Sequence, residues 1–188
     1  MKWLDRLFGG PKDMAALGEG TTAPDFSLPA VSSSPIISSG DDGGKFSLQD
    51  ALRHGQVLAL FFKVSCPVCQ YAFPFFERLH KSYGSEKVAM VAVSQDDKNN
   101  TAAFLKEYGV TFPALLDDPA GYAASNAYGL TNVPSWFLIG QDAKIKISSV
   151  GWVRADVEDL NRRLADANHT APRRWFRPGD DVRDYRPG

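Results

Sequence analysis

The sequence predicts an α/β domain of three layers, with helices on both sides of a central sheet. Two near-continuous apolar runs, "VLALFFK" (Val57–Lys63) and "KVAMVAV" (Lys87–Val93), are typical of strands that are covered on both faces. Helical patterns follow both runs, so these strands should be parallel, because parallel neighbours need a long crossover connection. A strand pair and a closing helix come later in the chain, which makes the predicted sheet mixed.

The first part of the chain is predicted to form a short N-terminal β extension. Residues 1–20 form an extension, and "APDFSLPAV" (Ala23–Val31) is expected to be a strand. A loop rich in Ser and Gly, "SSSPIISSGDDGG", follows it. The next segment, "SLQDALRHG", predicts a small helix with Ser47 as its N-cap and Gly55 at the C′ position.

The longest predicted helix begins near Pro67, a residue that suits a first helical turn, and runs to Gly84. Its apolar residues recur at helical spacing. Pro74 lies inside this helix and should kink it. Two shorter helices, in "NTAAFLKEYG" and "PAGYAASNAYG", should end at Gly109 and Gly129.

The domain is predicted to finish with two strands and one helix. "SWFLIG" and "KIKISSV", joined by "QDAK", indicate an antiparallel pair of strands. The closing helix has a single apolar stripe at helical spacing, made of Val153, Val157, Leu160 and Leu164.

The remaining chain is a polar tail, residues 168–188, which is rich in Arg and Pro. Such a composition favours disorder or an arm that lies across the surface. Trp175 and Phe176 indicate docking, either on the same domain or on a second subunit. The expected organisation is therefore an extension at 1–20, a domain at 21–167 and this tail.

Composition and charge exclude several classes of function. The 188 residues carry a net charge of -1, so nothing indicates a nucleic-acid partner. No apolar run approaches the roughly 18 residues of a membrane span. Near the N-terminus Asp5 and Arg6 interrupt the apolar residues, whereas a secretory signal needs about 7–15 unbroken apolar residues. We therefore expect a cytoplasmic protein without membrane contact.

The chain has two cysteines, Cys66 and Cys69, in the motif "CPVC". A strand that ends at Lys63 and a helix that begins near Pro67 place Cys66 at a helix N-terminus, where free N–H groups stabilise a thiolate. Cys69, three residues further on, should lie beneath it on the same face. This arrangement favours a redox pair over two inert core cysteines.

A metal site is not expected. Structural zinc needs four ligands, and one CxxC motif provides only two. The three histidines, His54, His80 and His169, show no matching spacing.

At this point the chain resembles the thioredoxin-like superfamily, in particular its redoxin branch of TlpA/ResA-like thiol–disulfide oxidoreductases and AhpC/TSA-type peroxiredoxin relatives. The resemblance extends from about Thr21 to Ala167. It rests on "APDFSL", "SCPVC" with Pro74 five residues after the second cysteine, "VAVSQDD", "FLKEYGVTFPALLD" and "AYGLTNVPSWFLI". It implies a thioredoxin-like α/β/α fold with a central mixed sheet and an N-terminal β extension.

The resemblance also implies a cis bond between Val133 and Pro134, in a loop that lies against the cysteines. In the family the backbone before this proline pairs with an extended substrate, which is recognition by strand addition. We therefore expect Val133 and Pro134, together with Pro67 and Val68 between the cysteines, to contact substrate.

Three positions depart from the family pattern. Ser65 stands in place of the usual tryptophan, Leu60 in place of a buried aspartate, and Ala72 in place of a glutamate. The usual acid that moves the proton of the resolving thiol is thus absent. Water, Lys63 or Glu77 could replace it, although both side chains are expected to be surface charges.

The resulting hypothesis is a thiol–disulfide oxidoreductase. Cys66 attacks a disulfide to form a mixed disulfide, and Cys69 resolves it. The expected partners are a disulfide-bearing protein or a small thiol substrate, and an upstream thiol reductant. No cofactor is expected apart from the redox-active disulfide Cys66–Cys69. In the cytoplasm the net direction would be reduction.

Two alternatives remain open. "SCPVCQ" also resembles the "TPVC" segment of peroxiredoxins, in which case Cys69 would be the peroxidatic sulfur and Cys66 the resolving one. Against this, Phe62 stands where the peroxiredoxin motif has a proline. The second alternative is a non-catalytic binding module that uses the cysteine pair as a redox sensor.

Overall fold

The structure, a computed structural model, describes residues 16–31, 44–84 and 86–188. Its helices are α1 (Leu48–Leu52), α2 (Pro67–Tyr83), α3 (Lys98–Glu107), α4 (Ala123–Ala127) and α5 (Arg154–Ala167). Its strands are β1 (Ser27–Pro29), β2 (Lys45–Ser47), β3 (Gln56–Phe62), β4 (Val88–Ser94), β5 (Ala114–Leu116), β6 (Ser135–Ile139), β7 (Ile145–Val150), β8 (Trp152–Val153) and β9 (Tyr185–Arg186).

Five strands form the central sheet in the order β5-β4-β3-β6-β7. Strands β3, β4 and β5 are parallel, whereas β6 runs antiparallel to both β3 and β7. The predicted mixed sheet is thus confirmed. Strand β5 was not predicted, because its three residues are too short to show a pattern.

Helices cover both faces of the sheet, because β3 is apolar on both. Leu58, Leu60 and Phe62 point to one face and pack with α2, α3 and α5. The residues between them point to the other face, where they pack with α1, α4 and the N-terminal segment. This confirms the three-layer α/β/α arrangement.

The N-terminal β extension is shorter than predicted. Strand β1 contains only Ser27–Pro29 and pairs antiparallel with β2. Ala23 and Phe26, which the prediction placed in the strand, are buried outside it. Residues 1–15 of the predicted extension and 32–43 of the predicted loop lie outside the described residues.

Most predicted helix ends are confirmed. The Ser47 hydroxyl accepts a hydrogen bond from the Asp50 amide at 3.2 Å and caps α1. Gly109 and Gly129 follow the C-caps of α3 and α4 with positive φ angles. The prediction for Gly55 is wrong, since α1 ends at Leu52 and its C-cap is Arg53. Gly55 is needed for close packing instead, because a Cβ there would lie 2.5 Å from the Lys87 carbonyl oxygen.

The helix that carries the cysteine motif has the predicted bounds. Pro74 lies inside α2, and the kink that we expect there stays a prediction. One face of α2 is buried against the sheet through Phe73, Phe76 and Leu79. The site described below is therefore built on a long and well-anchored helix.

The C-terminal tail lies on the same domain, over α2 and α5. Trp175 is 3% exposed, and its ring centroid lies 5.7 Å from that of Phe75 and 5.9 Å from that of Trp152. Asp180 forms an ion pair with Arg78 on α2. The tail then ends in β9, which pairs antiparallel with β8. Residues 168–188 are thus an arm that shares the main core.

We expect Trp175→Ala to lower the free energy of unfolding by about 3–5 kcal/mol, because it leaves a cavity beside two aromatic rings. Urea unfolding followed by circular dichroism measures this. Arg173→Ala is the matched control, since Arg173 is exposed on the same arm and its loss should change stability by less than about 0.5 kcal/mol. Equal stabilities of the two variants would contradict docking of the arm.

Candidate active site

Cys66 lies at the N-terminus of α2, as predicted. It is the N-cap residue of α2, with an extended backbone (φ -80°, ψ 115°), and Pro67 follows at the first helical position. Its Sγ accepts a hydrogen bond from the Cys69 amide at 3.2 Å. The sulfur thus satisfies a free N–H of the first helical turn, the role that serine or aspartate usually plays.

This position lowers the pKa of the Cys66 thiol to about 6, from an ordinary value of 9.0. The largest cause is a hydrogen bond with the Cys69 side chain; the backbone N–H groups of Cys69 and Val68 act in the same direction. Partial burial acts against them and raises the pKa. At neutral pH most Cys66 is therefore thiolate, the nucleophilic form of cysteine.

Cys69 is the opposite case. It is fully buried, and burial raises the pKa of its thiol far above the ordinary value. The hydrogen bond that it makes with Cys66 raises the pKa further, because this bond needs the Cys69 proton. Both cysteines are free thiols in the structure. The pair therefore consists of a partly exposed Cys66, mainly thiolate at neutral pH, and a fully buried Cys69 thiol.

The loop before β6 completes the surroundings of Cys66. The Val133–Pro134 bond is cis, as predicted. The carbonyl oxygen of Val133 lies 3.2 Å from Cys66 Sγ, where it accepts a hydrogen bond when Cys66 is a thiol. A carbonyl in this place repels the thiolate, so it moderates the effect of the helix N-terminus. Val133 is half-buried and Pro134 is buried.

The two residues between the cysteines lie in the first turn of α2. Pro67 is exposed, and Val68 is half-buried against the main core together with Cys66 and Val133. The six predicted site residues therefore lie in two neighbouring segments, the start of α2 and the loop before β6. Their contact with substrate stays a prediction.

Two further polar residues hold the segment that precedes Cys66, and sequence reasoning missed both. Asp96 accepts a hydrogen bond from the Val64 amide at 2.7 Å. The Gln70 side chain donates to the Val64 carbonyl at 2.9 Å. Asp96 follows β4, the parallel neighbour of β3, so the two strand ends meet at one edge of the sheet. A polar residue just after a buried strand was the available signal.

The residues considered as proton acceptors are held elsewhere. Glu77 was expected to be a surface charge, and this is wrong, since the residue is 4% exposed. Its carboxylate accepts from the Thr111 amide at 2.8 Å and from the Thr111 hydroxyl at 2.6 Å, because the chain before β5 packs on α2. The ammonium of Lys63 lies 5.8 Å from the ring centroid of Tyr122.

The structure also shows how far the three positions that depart from the family pattern are buried. Leu60 and Ala72 are fully buried in the apolar core, and Ser65 is exposed. Within the described residues, no group of three or more His, Cys, Asp or Glu side chains is arranged to hold a metal ion.

Comparisons with known proteins identify relatives of this chain. The AhpC/TSA family model matches residues 20–148. The thioredoxin-like protein YneN of Bacillus subtilis is 33% identical over 144 residues, which cover 74% of this chain and 76% of that protein. The thiol-disulfide oxidoreductase ResA of Geobacillus thermodenitrificans is 29% identical and covers 81% of this chain and 79% of its own.

Solved structures show the same fold. A DsbE-type thiol:disulfide interchange protein from Chlorobium tepidum superposes with a TM-score of 0.65 at 27% identity. The match covers 81% of this chain and 99% of that one. The thioredoxin-like fold that the sequence predicts is therefore confirmed.

The same relatives contradict the predicted cytoplasmic location. ResA, DsbE and similar thiol–disulfide oxidoreductases are membrane-anchored or extracytoplasmic. In the part of the chain that the structure describes, no helix is both long and apolar enough to cross a membrane. The cytoplasmic prediction is wrong, and a net reducing direction can no longer be argued from location.

The family model covers more than half of the chain. Among the relatives named above, ResA is a thiol–disulfide oxidoreductase, and the solved DsbE-type protein has the same fold as this chain. This chain belongs to the AhpC/TSA family, in the thioredoxin-like superfamily.

Proposed function

We propose that this protein is a thiol–disulfide oxidoreductase in which Cys66 is the attacking residue and Cys69 the resolving one. The asymmetry of the pair carries the proposal. Cys66 is accessible with a pKa of about 6, while Cys69 is buried and protonated. The named relatives carry out this class of reaction.

The reaction has two exchange steps. The Cys66 thiolate attacks one sulfur of a substrate disulfide; a Cys66–substrate bond forms, and the other substrate sulfur leaves as a thiolate that takes a proton from water. Cys69 then gives up its proton and attacks Cys66, which releases the second substrate sulfur. The substrate gains two electrons, and the protein is left with a Cys66–Cys69 disulfide.

The second step faces the larger electrostatic barrier. The pKa of Cys69 is raised by burial first, and by the Cys66 sulfur in addition. Formation of the mixed disulfide removes the negative charge of Cys66, so that part of the barrier disappears at the moment Cys69 must ionise. Ala72 supplies no carboxylate at its position of α2, and the Glu77 carboxylate of the same helix is bound to Thr111, so we assign the Cys69 proton to water.

The substrate class follows from the loop that faces Cys66. Homologous oxidoreductases act on disulfide-bearing proteins. The Val133 backbone can serve for strand addition, whereas the Pro134 carbonyl already accepts a hydrogen bond from the Gly151 amide at 2.7 Å. Pro134 is therefore proposed to contact substrate through its ring, and Pro67 and Val68 flank the attacking sulfur. A small thiol or disulfide needs access only to Cys66. An upstream thiol reductant returns the Cys66–Cys69 disulfide to two thiols, and no further cofactor takes part.

The peroxidase alternative requires Cys69 to attack a peroxide as a thiolate. Its complete burial and raised pKa disfavour this role. A redox sensor without catalysis would also use this pair, but it would not turn over.

The rates of insulin reduction and of peroxide consumption, with dithiothreitol as reductant, separate the three functions. We expect insulin reduction to be the faster by at least about tenfold, which an inert or peroxide-selective protein would contradict.

We expect Cys69→Ser to trap the mixed disulfide, because no thiol remains to resolve it. Mass spectrometry of the intact protein after incubation with a disulfide substrate should show a covalent adduct that dithiothreitol releases. Cys66→Ser is the matched control and should form no adduct. An adduct on Cys66→Ser with none on Cys69→Ser would reverse the assigned roles.

The pH dependence of Cys66 reactivity tests the cause of its low pKa. Only the thiolate reacts with iodoacetamide, so the rate should rise with pH, reach half of its plateau near pH 6 and stay constant above about pH 7. In Cys69→Ala the side-chain donor is lost, so the midpoint should move up, toward the ordinary cysteine value of 9.0. Peptide mapping of the alkylated site gives both curves; an unchanged midpoint in Cys69→Ala would rule out the Cys69 side chain as the main cause.

A further inference from the structure

We propose that the segment Tyr185–Gly188, here called the strap, covers the substrate edge beside Val133 and makes the protein favour small disulfides over extended protein disulfides. The inference rests on the proposed function and adds its substrate selectivity. It assigns a role to the end of the arm, which the mechanism does not use.

The strap is held on one side by the strand that follows β7. Trp152 and Val153 of β8 pair with Arg186 and Tyr185 of β9. The Trp152 indole donates to the Arg183 carbonyl at 2.6 Å, and the Arg154 amide donates to the Asp184 carbonyl at 2.9 Å. These contacts bring the strap alongside the end of the central sheet that carries the site.

On a second side the strap contacts the cysteine helix. The guanidinium of Arg186 lies 4.5 Å from the ring centroid of Tyr71, which is two residues beyond Cys69 on α2. The Tyr71 hydroxyl donates to the Asp181 carbonyl and accepts from the Arg183 amide, both at 2.8 Å. The chain therefore enters the strap from directly beside the site.

The strap then reaches the loop that faces Cys66. The Asn132 side chain donates to the Gly188 carbonyl at 3.0 Å. A Cβ placed on Gly188 would lie 2.8 Å from the carbonyl oxygen of Val133. That oxygen is also 3.2 Å from Cys66 Sγ. The strap backbone and the attacking sulfur thus meet at a single carbonyl group.

The strap packs against Gly151, where the protein leaves no room for a side chain. A Cβ on Gly151 would lie 2.5 Å from the Arg186 carbonyl oxygen and 2.8 Å from the Gly188 nitrogen. Only a glycine lets the strap backbone approach this closely. The strap contacts α2 through Arg186 and the Val133 loop through Gly188. An extended polypeptide that paired with the Val133 backbone would therefore meet the strap.

This placement separates substrates by shape. An extended polypeptide must displace the strap before it can add as a strand, so its apparent affinity falls by the fraction of molecules in which the strap is open. A small disulfide needs only the Cys66 sulfur. Opening is local, because Trp175 anchors the arm upstream and Tyr185 is 62% exposed.

The test compares a chain that ends at Asp184 with the full chain. Reduced protein is mixed with insulin or with hydroxyethyl disulfide, and the rate of Cys66–Cys69 disulfide formation is measured. We expect removal of the strap to raise the second-order rate with insulin by about tenfold and the rate with hydroxyethyl disulfide by less than about twofold. Arg186→Ala, which removes the contact with Tyr71, should give an intermediate gain with insulin.

Arg173→Ala is the matched control, since it removes an exposed arginine from the same arm away from the strap. It should change neither rate. Circular dichroism establishes that each variant is folded; if the shortened chain is not, Arg186→Ala alone decides. Equal changes with both substrates, or a slower rate with insulin, would overturn the role of the strap. A full chain that reacts with neither substrate would instead refute the proposed function.

Discussion

The hydrogen bond from the Cys69 amide to Cys66 Sγ is the interaction on which the rest of the site depends. It exists because β3 ends four residues before Cys66 and α2 begins one residue after it. The sulfur is thus left at the point where a helix offers free N–H groups. The same helical turn places Cys69 behind it, in the apolar core. One local geometry therefore makes one sulfur acidic and keeps the other protonated.

The neighbouring loop balances this activation. The Val133 carbonyl faces the sulfur that the helix stabilises, and it favours the thiol over the thiolate. Cys66 is therefore held by opposing groups, with N–H donors on one side and an acceptor on the other. A backbone that can accept and donate at this place is also one that an incoming strand can use. In the proposed function, activation of the nucleophile and recognition of the substrate would thus both use the Val133 backbone.

Much of this arrangement could be predicted from local sequence. The apolar runs, the capping residues and the CPVC spacing are signals that extend over only a few positions. They predicted the strands β3, β4, β6 and β7 and the helix α2, and the structure confirms all five. Strand β5 was missed because three residues show no period. Glu77 was misjudged because its partner, Thr111, lies 34 positions away. The arm contacts Tyr71 across 110 positions, and no local pattern reports such a contact.

The bond between the Val64 amide and Asp96 has a consequence for biosynthesis. It joins groups 32 positions apart, and Val133 lies 67 positions from Cys66. In a chain that is still emerging from the ribosome these long-range contacts are absent, so both cysteines are open to exchange at the rate of ordinary thiols. The difference between an acidic Cys66 and a buried Cys69 should therefore appear only when β3 and β4 have paired.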